Sequence, residues 1–190
     1  GESAMAAGDT PAAVAHFARV RQATPSAAIV ATAEYDAAAG LLQLQEWSRA
    51  AATLVHLRAD YPNDPRQAEI TRRLATAYLA AQQPQQAAAE FERIGHSPGA
   101  DEIRREALWQ AAELHAGASQ LERAIEVYRY YVEQFPQPAE TAIEARQHIA
   151  EHYAALGDSA AQQHWLVAII SADRQAGSGR SDRTRYLAAQ

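Results

Sequence analysis

Residues 65–100 read PRQAEITRRLATAYLAAQQPQQAAAEFERIGHSPGA. Two helices are legible in this stretch. In the first, Leu74-Ala75 and Tyr78 are three to four positions apart, so they share a face. In the second, Ala87, Phe91 and Ile94 follow at offsets of four and three, again on one face. The small residue lets a neighbouring backbone come close, and the large one fills the gap beside it. Pro98-Gly99 then stops the helix, because proline lacks the N–H donor and restricts the residue before it.

Moving outward from this stretch, the same pattern returns every 37 residues. Small residues recur at Ala13, Ala50, Ala87, Ala124 and Ala161. Four places on stand Phe17, Leu54, Phe91, Tyr128 and Trp165, and three further Val20, Leu57, Ile94, Tyr131 and Ala168. Breakers follow at Pro25, Pro62, Gly99 and Pro136, with Asp173 in the fifth place. The preceding helix of each repeat has its inner face at Ala38, Ala75 and Ala112, then Leu41, Tyr78 and His115. In the fifth repeat the pattern fits one residue later, at Ile149, Ala150 and Tyr153, and the following loop is expected to be one residue shorter.

Punctuation agrees with this frame. Asp9-Thr10-Pro11 and Asn63-Asp64-Pro65 each offer a cap followed by proline in the first turn. Ser119-Gln120-Leu121-Glu122 has the spacing of a capping box. Gly157-Asp158-Ser159 ends one helix and caps the next. Helices are expected near 11–23, 28–43, 47–60, 65–81, 84–95, 101–117, 120–134, 138–155, 158–174 and 182–190. The fold class is all-α: an α-solenoid of about five helix–turn–helix repeats, coiled as a right-handed superhelix. It is expected as one solenoid over 1–190, with repeats at about 1–27, 28–64, 65–100, 101–137 and 138–175 and a further one starting at 182–190.

Leu74-Ala75, Tyr78, Ala87, Phe91 and Pro98 in the third repeat, and Leu108, Ala111-Ala112, Ala124, Tyr128 and Pro136 in the fourth, resemble the tetratricopeptide signature. The period is 37 rather than 34, Leu41 and His115 stand where that signature has tyrosine, and its usual glycine is alanine. Tyr61-Pro62-Asn63-Asp64-Pro65 and Phe135-Pro136-Gln137-Pro138 resemble the divergent repeats of bacterial periplasmic scaffolds, such as those of outer-membrane assembly and Tol–Pal systems. The resemblance implies a concave face lined by the first helix of each repeat. It would carry Tyr35, Ala39 and Leu42, then Glu69, Arg72 and Thr76, then Glu106, Trp109 and Glu113. The partner implied is a peptide or helix of another protein, and the place a periplasmic or cell-envelope one.

Residues 1–7 read as the tail of a first helix and 182–190 as the start of another repeat, neither with a polar cap. The parent solenoid is therefore expected to continue both ways, and its open ends to allow self-association. Gln175-Ala176-Gly177-Ser178-Gly179-Arg180-Ser181 reads as a flexible stretch.

Composition narrows the function classes. Hydrophobic residues make up 48 %, dominated by alanine, which favours helix and close helix approach. Cysteine is absent, which excludes disulfides, zinc–thiolate sites and a cysteine nucleophile. All 17 basic residues are arginine, the net charge is −6 and no basic stripe exists, which argues against nucleic acid. No apolar run approaches a membrane span.

His148-Ile149-Ala150-Glu151-His152 matches an inverted zinc-protease pattern, with His164 as a stand-in third ligand. The alternative is a polar face of a repeat helix that matches by accident. His115, in the slot filled by Tyr78 one repeat earlier, reads as a packed and hydrogen-bonded histidine. From Asp101 to Glu151 there are ten acids against five arginines. This is either a solvated face or a surface complementary to a basic partner. Trp109 lines the concave face or packs between helices; both readings stay open. The expected function is a non-enzymatic protein-binding scaffold without metal or cofactor, and the alternatives are a spacer that self-associates or an enzyme at His148 and His152.

Overall fold

The computed structural model describes residues 1, 4, 8–20, 26–176 and 186. Nine helices and no strand are found among the described residues: α1 (Thr10–Ala18), α2 (Ala27–Gln43), α3 (Trp47–Asp60), α4 (Gln67–Ala80), α5 (Pro84–His96), α6 (Asp101–Gly117), α7 (Leu121–Gln134), α8 (Ala139–Ala155) and α9 (Ser159–Ala176). Most of the two ends read from sequence, 1–7 and 182–190, lie outside the described residues, as does the glycine-serine stretch beyond Ala176.

The chain divides into two compact units, Gly1–Glu90 and Phe91–Gln190, with the boundary inside α5. In the first unit α1 packs on α2, α2 on α3 and α3 on α4; in the second α6 packs on α7, α7 on α8 and α8 on α9. Within each unit these helices meet the next in sequence, the pattern of a stacked helical repeat.

The 37-residue period is written into the backbone itself. Positive φ occurs at Gly8, Gln45, Gln82 and Ser119, each 37 residues after the last, and then at Gly157, 38 further on. Each ends the first helix of its repeat in a left-handed residue. The next N–H turns back to a carbonyl five residues earlier: Asp9 to Ala4, Glu46 to Leu41, Gln83 to Tyr78, Gln120 to His115 and Asp158 to Tyr153, all at 2.9 Å. This satisfies carbonyls that the helix end leaves open. The exits of the second helices also repeat. Tyr61 (φ −128°, ψ 65°) and Phe135 (φ −127°, ψ 70°) take the same non-helical conformation just before Pro62 and Pro136.

The core follows the small-and-large pattern. Ala13, Ala50, Ala87 and Ala124 are fully enclosed, as are Leu54, Leu57 and Tyr128. Ala38, Ala75, Ala112 and, one residue late, Ile149 and Ala150 bury the inner face of the first helices. Gly95 carries a close approach between helices: a methyl group there would sit 2.4 Å from Leu108 Cγ, so glycine lets α5 and α6 meet at that spacing.

Three local expectations are corrected. Ser119 is no capping residue; it is the left-handed residue that follows the end of α6, while Gln120 caps α7 without a side-chain bond. The left-handed role wins because α6 must stop there. Asp64 does not start a helix at Pro65. Its carboxylate takes the Arg66 N–H at 2.8 Å and the Arg66 guanidinium at 2.6 Å, and α4 begins at Gln67. The fifth loop is not shortened. Gly157, Asp158 and Ser159 repeat Ser119, Gln120 and Leu121, so the extra residue is carried on into α9. Accordingly Ile169, 38 residues after Tyr131, is buried, while Ala161, Trp165 and Ala168 are only half-buried. Two expected caps are present: Asp9 Oδ1 accepts from Ala12 N–H at 3.1 Å and Asp158 Oδ1 from Ala161 N–H at 2.9 Å.

Candidate functional site

The left-handed residues give a common ruler for the first helices. Ten positions before them stand Tyr35, Arg72, Trp109 and Gln147; thirteen before, Thr32, Glu69, Glu106 and Glu144; six before, Ala39, Thr76, Glu113 and Glu151. Because these positions differ by three, four and seven, they form one stripe along each helix, beside the buried inner face.

In the first unit this stripe is internally paired. The Tyr35 ring on α2 is covered by two guanidinium groups, Arg66 at 4.6 Å and Arg73 at 4.8 Å from its centroid. Glu69 accepts from Arg72 Nη2 at 2.7 Å and from Arg73 Nε at 2.9 Å, which holds its carboxyl below the usual range, the Arg72 bond being the main cause. Thr76 donates its hydroxyl to the Arg72 carbonyl at 3.2 Å.

The second unit differs. Arg105, Glu106, Trp109, Gln110, Glu113, Tyr131, Thr141 and Glu144 line a cleft of about 450 Å³ between α6 and α8. Trp109 is half-buried there. Its ring edges pack on Tyr128, Tyr131 and His148 at 5.3, 5.6 and 5.6 Å, against the core cluster around Leu108 and Ile149. It also forms a wall of the cleft, and Nε1 donates to Glu113 Oε1 at 3.0 Å. Tyr128 beneath it has its phenol pKa raised, first by burial and then by Glu113, Glu144 and Glu151, so three carboxylates bear on this one place.

Of the residues read from sequence, Glu106, Trp109 and Glu113 come together in this cleft; Tyr35, Glu69, Arg72 and Thr76 lie on the stripe of the first unit. Sequence reasoning missed Arg105, Gln110, Thr141, Glu144 and Tyr131 as cleft residues. The signal for Glu144 was its register with Glu106. That register is visible only once the extra residue before Gly157 is placed.

His148 and His152 are part of the aromatic packing. His148 stacks on Tyr128 at 5.2 Å and 17°, and His152 lies 6.3 Å from His148. Burial, then the neighbouring His148, lowers the pKa of His152, and its enclosed Nε2 has no hydrogen-bond partner. His164 is exposed and turned against Trp165. Among the described residues no group of three or more His, Asp or Glu side chains is placed to hold a metal ion. His115 is buried and bonded as expected: Nε2 meets Glu92 Oε1 at 2.7 Å and Nδ1 meets Gln120 Oε1 at 2.8 Å, with Arg123 closing on Glu92.

Two larger cavities, about 570 and 530 Å³, flank Phe17 in the first unit. The smaller of these two is lined by apolar residues such as Val14, Phe17, Ala37 and Leu41 together with Glu34, Arg49, Thr53 and His56.

The tetratricopeptide repeat profile matches residues 106–138. Those residues make up one tetratricopeptide repeat. The matched segment holds the last three turns of α6, the left-handed Ser119, all of α7 and the proline exit, which together make one helical pair. Among solved structures, the MamA RS-1 ArsTM double mutant is similar at 18 % identity and TM-score 0.50, over 93 % of this chain and 92 % of that one. MamA AMB-1 is similar at 15 % identity and TM-score 0.51, over 97 % and 91 %. At such identities the likeness is one of fold. No curated protein matches the sequence. No helix among the described residues is long and apolar enough to cross a membrane.

Proposed function

We propose that this protein binds an extended or helical segment of a partner protein along the stripe beside the inner face of its first helices. The observation that carries the reading is the open cleft at Trp109, where a half-buried aromatic stands among polar side chains able to orient a ligand. A large aromatic held by the core and presented to solvent loses little entropy on binding, which makes it a good anchor. Residues Tyr35, Glu69, Arg72 and Thr76 present the same register in the first unit and extend the proposed surface there. We place the protein in the cell envelope on the resemblance of its proline-punctuated loops.

The test is selection of a displayed peptide library on the immobilised chain. Enrichment of related peptides that is lost on Trp109→Ala, with helical content retained by circular dichroism, supports the reading. Enrichment unchanged by Trp109→Ala removes it.

A second reading, a spacer that associates through its flanks, is favoured by Leu166, Val167 and Ile170, which are exposed together on α9. Mass that rises with concentration in light scattering, and falls back on Leu166→Glu, supports that reading.

A further inference from the structure

The cleft at Trp109 has an occupied counterpart in the same chain. Tyr35 and Trp109 hold the same place, ten residues before their left-handed residue. At Tyr35 the two guanidinium groups come from the next first helix: Arg73, nine residues before Gln82, and Arg66, sixteen before it. The corresponding residues opposite Trp109, nine and sixteen before Gly157, are His148 and Thr141. His148 takes the part of Arg73, with its ring 5.6 Å from that of Trp109. Thr141 is too short to take the part of Arg66, and the cleft lies open against it.

Charge sharpens the contrast. In the first unit Glu69 is matched by Arg72 and Arg73. Around Trp109 the cleft is lined by Glu106 and Glu113, with Arg105 beside them. Arg105 is turned to the Phe135 ring at 5.8 Å and to the Gln137 carbonyl at 3.3 Å. The described partners of Glu106 and Glu113 are neutral, the Gln110 amide at 3.4 Å and the Trp109 indole. An indole that lines a cleft together with Glu106 and Glu113 fits a flat cation, which packs on the ring and donates to the acids.

We infer that the cleft takes the guanidinium of an arginine side chain from the partner segment, in the place that Arg66 fills over Tyr35. The inference rests on the proposed peptide-binding function and names the anchor residue of its ligand. Arginine is preferred to lysine because its planar group stacks and bonds two carboxylates at once.

The probe is N-acetyl-arginine amide, titrated against the whole chain while the Trp109 indole N–H is followed by NMR. Phe substitutions at Trp47 and Trp165 assign the signal. The expected result is a saturable shift that weakens at least threefold on Glu113→Gln or Glu144→Gln and weakens with added salt. The citrulline amide, which has the same shape without the charge, is expected to bind at least tenfold more weakly. Thr141→Arg is expected to abolish the shift, because it supplies the missing cation in cis. Equal binding of citrulline, or an arginine response untouched by both Thr141→Arg and the glutamate substitutions, overturns the inference. If library peptides without arginine are enriched and still require Trp109, the anchor is wrong while the peptide-binding function stands. If nothing responds at Trp109 in either experiment, both fall.

Discussion

The left-handed residues between paired helices make a quantitative prediction that is independent of function. Gln82 (φ 56°) and Ser119 (φ 60°) are exposed L residues in a region that costs a Cβ-bearing residue roughly 1–2 kcal/mol. Glycine removes that cost but brings about 0.4–1 kcal/mol of extra chain entropy to the unfolded state. The difference leaves Gln82→Gly and Ser119→Gly each more stable by about 0.5–1 kcal/mol. With an unfolding entropy of about 2.1 cal/mol/K per residue, that raises Tm by about 1–3 °C. The two sites are one repeat apart and share no partner, so the double variant should gain close to the sum. The neighbouring Ala81 (φ −80°, ψ 3°) is the control. It has ordinary right-handed backbone, so Ala81→Gly should lose about 0.5–1 kcal/mol. Thermal and urea unfolding followed by circular dichroism at 222 nm read all four variants. If Gln82→Gly destabilises as much as Ala81→Gly does, the left-handed assignment, and the period built on it, is wrong.

Other substitutions test packing and charge. Gly95→Ala should cost about 1–3 kcal/mol, because its methyl group overlaps Leu108; Leu108→Ala in the same background should recover little, since it opens a cavity. Glu92→Ala should cost about 3 kcal/mol by leaving His115 and Arg123 without their buried acceptor, and Glu92→Gln should cost less. His152 has a lowered folded-state pKa, so the unfolded chain binds its proton first as pH falls. Its contribution is therefore neutral above the ordinary imidazole range and destabilising below it. Between pH 8 and pH 5.5 the Tm of His152→Phe should fall less than that of the parent chain.

The sequence was sufficient for the repeat because alanine and aromatic spacing is set by helix geometry, which needs no partner to be legible. Ala50, Leu54 and Leu57 declare a face, Pro62 declares its end, and eight of the expected helices recur with ends displaced by two residues or fewer. The first was expected at 11–23; α1 is Thr10–Ala18, and positions 21–23 lie outside the described residues. Non-glycine left-handed residues escaped notice, since Gln45, Gln82 and Ser119 carry no local signal for positive φ. Their conformation is imposed by the next helix having to fold back at once, and Ser119 is the case in which this overrode an apparent cap. The register of the fifth repeat was half legible: Ile149 and Ala150 marked the shift, but only the backbone showed that α9 inherits it.

The candidate site divides along the same line. Spacing marks the buried face of each helix, and the resemblance to tetratricopeptide repeats put Glu106, Trp109 and Glu113 on the stripe beside it. Whether an aromatic on that stripe is covered or open depends on what the next first helix brings to it. At Tyr35 it brings Arg66 and Arg73; at Trp109 it brings Thr141 and His148. That juxtaposition lies more than thirty residues away in sequence, and only tertiary packing decides it.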